Sequence, residues 1–262
     1  MFQNLGVQLY TIREYLEDPE TADLAFKALH DIGYTEVQTA GIPAFGAELF
    51  GELLKKNGLS IVGTHYLLKK ILEEPEETMA LHRAWGTTNI GIGSMPKELR
   101  EDLAQVKSFI NDFNRAAEIY AKQGFKLTYH NHQFEFVRVD GCKTIMDLLC
   151  EGLDPKNTSF VLDTCWVAAG AADVTDWMEK LAGRIDILHL KDTCVQKKDG
   201  KYVTAMAEVG YGNLSFDKIM ETAERIGVKH YVVEQDNCPG DPFDSLAASY
   251  AYIQENYMKE RK

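Results

Sequence analysis

Eight times along the chain a short apolar run is followed by a helical stretch, and this alternation limits the available folds more than any other feature. The runs expected as strands are 5–9, 35–39, 60–64, 89–92, 125–130, 159–163, 185–190 and 229–234. Asp18-Pro19-Glu20 opens the first helix, and Leu24, Ala25, Ala28, Leu29 and Ile32 recur at helical spacing until Gly33 ends it. Further helices are expected at 47–56, 75–85, 101–122, 143–150, 174–181, 215–226 and 242–256. Strand runs this apolar suit a parallel sheet covered on both faces. Eight βα units over 262 residues predict an α/β (β/α)8 barrel, one domain across 1–262. An open doubly wound sheet would carry a glycine-rich phosphate turn after its first strand. Here that turn is Tyr10-Thr11-Ile12-Arg13, without glycine.

Charge and cysteine usage exclude several classes of function. A formal net charge of −12 disfavours nucleic acid and anionic membranes and favours small or neutral substrates. No run is long enough to span a bilayer, and the N-terminus lacks a signal-peptide pattern. Five scattered cysteines with no CxxC spacing suggest a reduced, cytoplasmic protein without disulfides or a cysteine zinc site.

In a (β/α)8 barrel the chemistry sits at the C-terminal ends of the strands. Those ends hold Gln8 and Tyr10, Glu36 and Gln38, His65, His130 and His132 with Glu135 behind, Asp163, His189 with Lys191 and Asp192, and Glu234 with Asp236. Four of the seven histidines lie there, whereas His30 and His82 fall in helices and read as solvated. His130 and His132 are two apart, so on a strand they face one space. Asp163, His189 and Glu234 offer two anionic oxygens and a neutral nitrogen from three successive strands, with the fourth ligand from His130, His132 or Glu135. Such a set suits Mn²⁺, Co²⁺, Zn²⁺ or Mg²⁺ with positions open for substrate oxygens. The competing readings are a turn cap for Asp163, a core histidine for His189, and a surface ion pair for Lys191. Gln8, His65, Trp166, Lys191 and Asp192 are the candidates for contacting substrate.

The segments YHNHQFEF, VLDTCW, ILHLKD and VVEQD resemble the xylose-isomerase-like TIM-barrel superfamily, within it the sugar phosphate isomerase/epimerase group that includes inosose dehydratase. LGVQLYTIRE, GYTEVQ and AEVGYGNLSFDKI add to the likeness, which extends over essentially the whole chain. In the ketose epimerases of that superfamily one divalent ion is held by Glu, Asp, His and Glu from strands five to eight. The resemblance therefore implies Asp163, His189 and Glu234 as ligands, with His130 where relatives often carry the first Glu. Trp166 stands where relatives carry a histidine.

The resemblance implies a metal-dependent isomerase or epimerase acting on a sugar or polyol carbonyl compound. Glu234, His132 and Glu135 are the candidate proton-transfer groups, with His130 a further possible base. The same enediolate leads to dehydration if a β-hydroxyl leaves, the alternative outcome, or to loss of a glycosidic oxygen. Two other classes compete: an endonuclease IV-like three-zinc site and a non-catalytic sugar-binding barrel. A homo-oligomer is compatible with the sequence.

Overall fold

A computed structural model describes residues 2–258; residues 1 and 259–262 of the expected 1–262 domain lie outside the described residues. Eight parallel strands close into a barrel: β1 Gly6–Gln8, β2 Glu36–Ala40, β3 Ser60–His65, β4 Asn89–Ile92, β5 Lys126–His130, β6 Thr158–Asp163, β7 Ile185–Leu190 and β8 His230–Val233. Closure comes from β1 pairing with β8, Gly6 opposite Val232 and Val7 opposite Val233. Every expected strand is present within a residue or two at each end. Helices surround the barrel, several of them with side-chain caps the sequence provides. Asp18 accepts from the amides of Glu20 and Thr21 at Pro19–Ile32, Asp102 caps Leu103–Ala121, and Thr144 with Asp147 forms a capping box at Ile145–Gly152.

Period-two alternation explains how the polar strand ends are carried. Val161, Ile187 and Val232, with half-buried Val62, form an apolar cluster apart from the main core. Each of the first three lies two residues before Asp163, His189 or Glu234, so the same strand face that fills the lumen presents those groups above it. The intervening residues Leu162, Leu188, Leu190 and Val233 pack outward in the large core shared with the helices. Gly63 leaves room for this filling, since a Cβ there would lie 2.6 Å from Ile187 Cδ1.

Four departures from the expected elements occur. After β7 the chain makes a hairpin, Asp192–Lys198 against Lys201–Ala207, where a loop was expected. Its two-residue turn is Asp199-Gly200, with φ of 51° and 77°, the positive pair that a tight hairpin requires. A smaller hairpin pairs Arg138–Asp140 with Lys143–Thr144. Short helices Leu68–Glu73 and Thr164–Ala169 and a 3-10 segment Leu9–Tyr15 follow β3, β6 and β1. Glu36 begins β2 and so lies at the opposite end of the barrel, where it meets His230 at 3.0 Å.

Candidate metal centre and substrate cavity

Asp163 ends β6 and divides its oxygens. Oδ1 accepts from the Trp166 amide at 2.8 Å, capping the helix Thr164–Ala169. Oδ2 turns into the barrel mouth, 3.5 Å from His189 Nδ1, 3.6 Å from His130 Nε2 and 3.4 Å from Lys191 Nζ. The turn-cap and functional readings of Asp163 are both realised, by different atoms. Glu234 Oε2 lies 3.0 Å from His189 Nδ1 and 3.0 Å from Lys191 Nζ. One donor atom each from His130, Asp163, His189 and Glu234 falls within 4.8 Å of the others, and all four residues are buried.

The far nitrogens of both imidazoles are engaged. His130 Nδ1 is 2.9 Å from the Gly93 carbonyl, and His189 Nε2 is hydrogen-bonded to Gln38 Oε1. In a neutral ring an oxygen acceptor on one nitrogen takes the proton and leaves the other as a lone pair, the arrangement seen around metal-ligating histidines. At His189 burial would lower the imidazole, but Glu234 and Asp163 outweigh it and raise it to about 9, so a cation there displaces a proton from Nδ1. Apart from the ionic contacts among themselves and with Glu234 and Lys191, His130 Nε2, His189 Nδ1 and Asp163 Oδ2 are buried with no hydrogen-bond partner among the described residues. Such atoms are costly unless something satisfies them.

Charge points the same way. Asp163, Glu234 and Asp236 face a single ammonium, that of Lys191, which is 1% exposed and donates to Glu234 and to Asp236 at 2.9 Å. Burial alone would push the Asp163 and Glu234 carboxyls up, but Lys191 and the neighbouring imidazoles reverse this and hold both well below the usual range. Burial would also lower Lys191, yet Asp163, Glu234 and Asp236 keep it firmly protonated. The balance is anionic and buried, so further positive charge is favourable. The four donors thus fit one divalent cation in number, chemistry and charge.

Above this centre lies a cavity of about 310 Å³ lined by Tyr10, Ala40, His65, Gly93, His130, His132, Trp166, Lys191, Glu234 and Asp236, at the small end of the range for ligand sites. His132 turns its ring into it, between His130 at 4.8 Å and Trp166 at 5.6 Å, and stacks on Phe134 at 5.7 Å. Burial, and then the nearby His130, push the His132 imidazole down to about 3, so it is neutral and its Nδ1 is unpartnered. Trp166 also covers the Lys191 ammonium at 4.7 Å. His65 lines the cavity beside His130, and Gln8 lies beneath it at 3.4 Å.

Other candidates fall elsewhere. Glu135 does not line the cavity. Its carboxyl is buried beneath the β5 loop, accepting from Tyr129 OH and the His132 amide, each at 2.8 Å. Tyr129 points outward against Phe109 and Phe160, as alternation with His130 demands. Asp192 is likewise buried. It accepts from the backbone amides of Thr193, Gly210, Gly212 and Leu214, which leaves it a loop anchor where a substrate contact was expected. His82, read as solvated, is fully buried between Thr64 Oγ1 at 2.9 Å and the Thr78 carbonyl at 2.6 Å. Lys191 is no surface pair. Asp236, Gln38, Asn131 and the Gly93 carbonyl carry roles the sequence reading did not assign. Asn131 Oδ1 accepts from the Asp163 amide at 2.9 Å, tying β5 to β6; its place between the two histidines was the available signal.

Comparison with known proteins agrees with the barrel architecture. A family model described as xylose isomerase-like TIM barrel matches residues 26–255. An inosose dehydratase from Lactiplantibacillus plantarum is 23% identical, the match covering 88% of each chain. A sugar phosphate isomerase/epimerase of known structure from Parabacteroides distasonis superposes with TM-score 0.79 at 26% identity, covering 98% of this chain and 95% of the other. A probable 3-DHS dehydratase from Bacillus anthracis shares the fold, with TM-score 0.72 at 15% identity over 97% of this chain and all of the other.

Proposed function

The chain belongs to the xylose isomerase-like TIM-barrel family, and we propose that it is a divalent-metal-dependent enzyme removing a proton beside the carbonyl of a neutral keto-polyol or keto-sugar. The observation that carries this reading is the convergence of His130 Nε2, Asp163 Oδ2, His189 Nδ1 and Glu234 Oε2, with both imidazoles bonded away from the centre. A cation bound there supplies Lewis acidity, which lowers the cost of negative charge on the substrate oxygen.

The chain's own groups do the rest. His132 lines the cavity with an unpartnered ring nitrogen, and this position makes it the group placed to take the proton. Glu234, ionised and shared with Lys191, is the second proton-handling group. Trp166, His132 and Phe134 form an aromatic wall against which the apolar face of a polyol ring packs. Among the described residues that line the cavity, Lys191 is the one cation other than histidine. Lys191 is saturated by three carboxylates, Arg13 donates to the carbonyls of Tyr10 and Asp236, and Arg100 lies over Phe134. This supports an unphosphorylated substrate.

Two second halves follow from one proton abstraction. Loss of a β-hydroxyl is favoured by the curated relative, an inosose dehydratase; return of the proton, by the isomerase/epimerase neighbour. Proton NMR in D₂O with Zn²⁺- or Mg²⁺-loaded protein, given inosose and an open-chain ketose, separates them. Deuterium at the carbon beside the carbonyl is expected with at least one substrate. Water loss identifies a lyase, and inversion or carbonyl migration an isomerase. Metal-loaded protein that exchanges no proton on either substrate contradicts the proposal.

A further inference from the structure

Two glutamines beneath the cavity form a hydrogen-bond chain whose polarity is set by one atom that can only donate. The Tyr10 backbone N–H lies 3.3 Å from the Gln8 amide, so the facing atom is Oε1. The Gln8 NH₂ then points the other way, donating to Gln38 Oε1 at 2.9 Å and facing His65 Nδ1 at 3.4 Å. Gln38 Oε1 also faces His189 Nε2. Both glutamines are fully buried. Reversing either amide would set donor against donor.

From this chain we infer that Gln8 and Gln38 assign opposite roles to two neighbouring histidines: His189 offers a lone pair to the metal, while His65 presents a fixed Nε2–H donor to a substrate oxygen. The inference rests on the proposed metal centre for the His189 half alone. For His65 it rests on the Gln8 contact: a neutral ring accepting at Nδ1 carries its proton on Nε2. That nitrogen is buried, has no hydrogen-bond partner among the described residues, and belongs to a ring that lines the cavity. His65, His130 and His189 place a nitrogen each within 4.8 Å of one another, near enough to form a three-imidazole site. The proton on His65 Nε2 is what keeps that ring out of the metal's coordination. His65 therefore contacts substrate, and Gln8 and Gln38 are positioning residues.

The test uses full-length protein, ¹⁵N-labelled at histidine, with long-range ¹H–¹⁵N spectra, and Co²⁺ as the metal probe. Wild-type His65 is expected as the neutral Nε2–H form with and without Zn²⁺, and His65→Leu should leave the Co²⁺ absorption spectrum unchanged. Gln8→Glu places an acceptor against His65 Nδ1, so the ring should change to the Nδ1–H form. Its freed Nε2 should then join the ion and alter the Co²⁺ spectrum, an alteration abolished by adding His65→Leu. Gln38→Leu should weaken Co²⁺ binding about 10–100-fold, whereas Gln38→Glu, which keeps the acceptor, should not. An Nδ1–H His65 in the wild type, or a Co²⁺ spectrum that changes on His65→Leu alone, overturns the inference. If the wild type binds no Co²⁺, the metal-centre proposal fails, while the metal-free spectra still decide the His65 assignment.

Discussion

Asp163 shows how one side chain serves both fold and site, and substitutions can separate the two. Asp163→Asn keeps an oxygen for the Trp166 amide but replaces the inward oxygen with NH₂. It should empty the centre of metal, measured by elemental analysis, with melting temperature nearly unchanged. Asp163→Ala should lose the metal too and cost about 1 kcal/mol more, the usual worth of a cap. His130→Ala should also strip metal, whereas His132→Ala should retain it and lose turnover; equal metal loss in both would refute the division of roles. Glu135 gives a pH signature of its own. Burial raises its carboxyl to about 8 from an ordinary 4.5. The folded protein therefore holds a proton between those values that the unfolded chain releases. The stability tied to this group is complete below about pH 4.5 and declines as pH rises to 8, by at most ~5 kcal/mol at roughly 1.4 kcal/mol per unit. Glu135→Gln should match wild type in thermal melts at pH 5 and exceed it at pH 8, with kcat within about tenfold. Identical pH dependence in the two proteins would sink this assignment.

At the level of elements, the hairpin after β7 is held at its root by Asp192, which accepts from the Thr193 amide and from three amides that tie the strand end to residues 210–214. Its outer half stands in solvent, with Val195 65% and Tyr202 77% exposed. Asp192→Ala leaves four donors unpaired and should cost ~3–5 kcal/mol in denaturant unfolding. It should also open residues 193–206 to limited proteolysis. Gly212→Ala should act similarly, since its Cβ would lie 2.2 Å from Asp192 Oδ1. Protease resistance equal to wild type in both variants would contradict the anchor role. This element also marks where sequence reading stops. Strands were legible because period-two patterning and apolar runs are local, and helix starts because their caps are. The Asp199-Gly200 turn was equally local and went unread inside a polar stretch. The destination of Asp192 was not legible, because three of its four partners are backbone amides about twenty residues on, brought near only by the hairpin. Glu135 misled for a related reason: residues just past a strand can fold back beneath the loop, as its bond to Tyr129 shows.

For the whole molecule, the barrel made the site readable, since it brings the ends of distant strands together wherever they lie in sequence. Asp163, His189 and Glu234 could be proposed from strand ends alone; the burial of Lys191 depends on packing against the ends of strands six and eight, and the Gln8–Gln38 chain on packing among strands one, two and seven. The net charge of −12 should keep the protein from being retained on heparin at physiological salt, against an endonuclease role. The two candidate ligand clusters share His130 and His189, so among the described residues they make one centre and not three. No helix among the described residues is long and apolar enough to cross a membrane. Anomalous diffraction from crystals soaked in Mn²⁺ tests the central claim most directly. The account predicts one peak at the barrel mouth, ligated by His130 Nε2, Asp163 Oδ2, His189 Nδ1 and Glu234 Oε2, with His65 outside its coordination. No peak there, or a peak whose ligands omit Asp163 and His189, would contradict it.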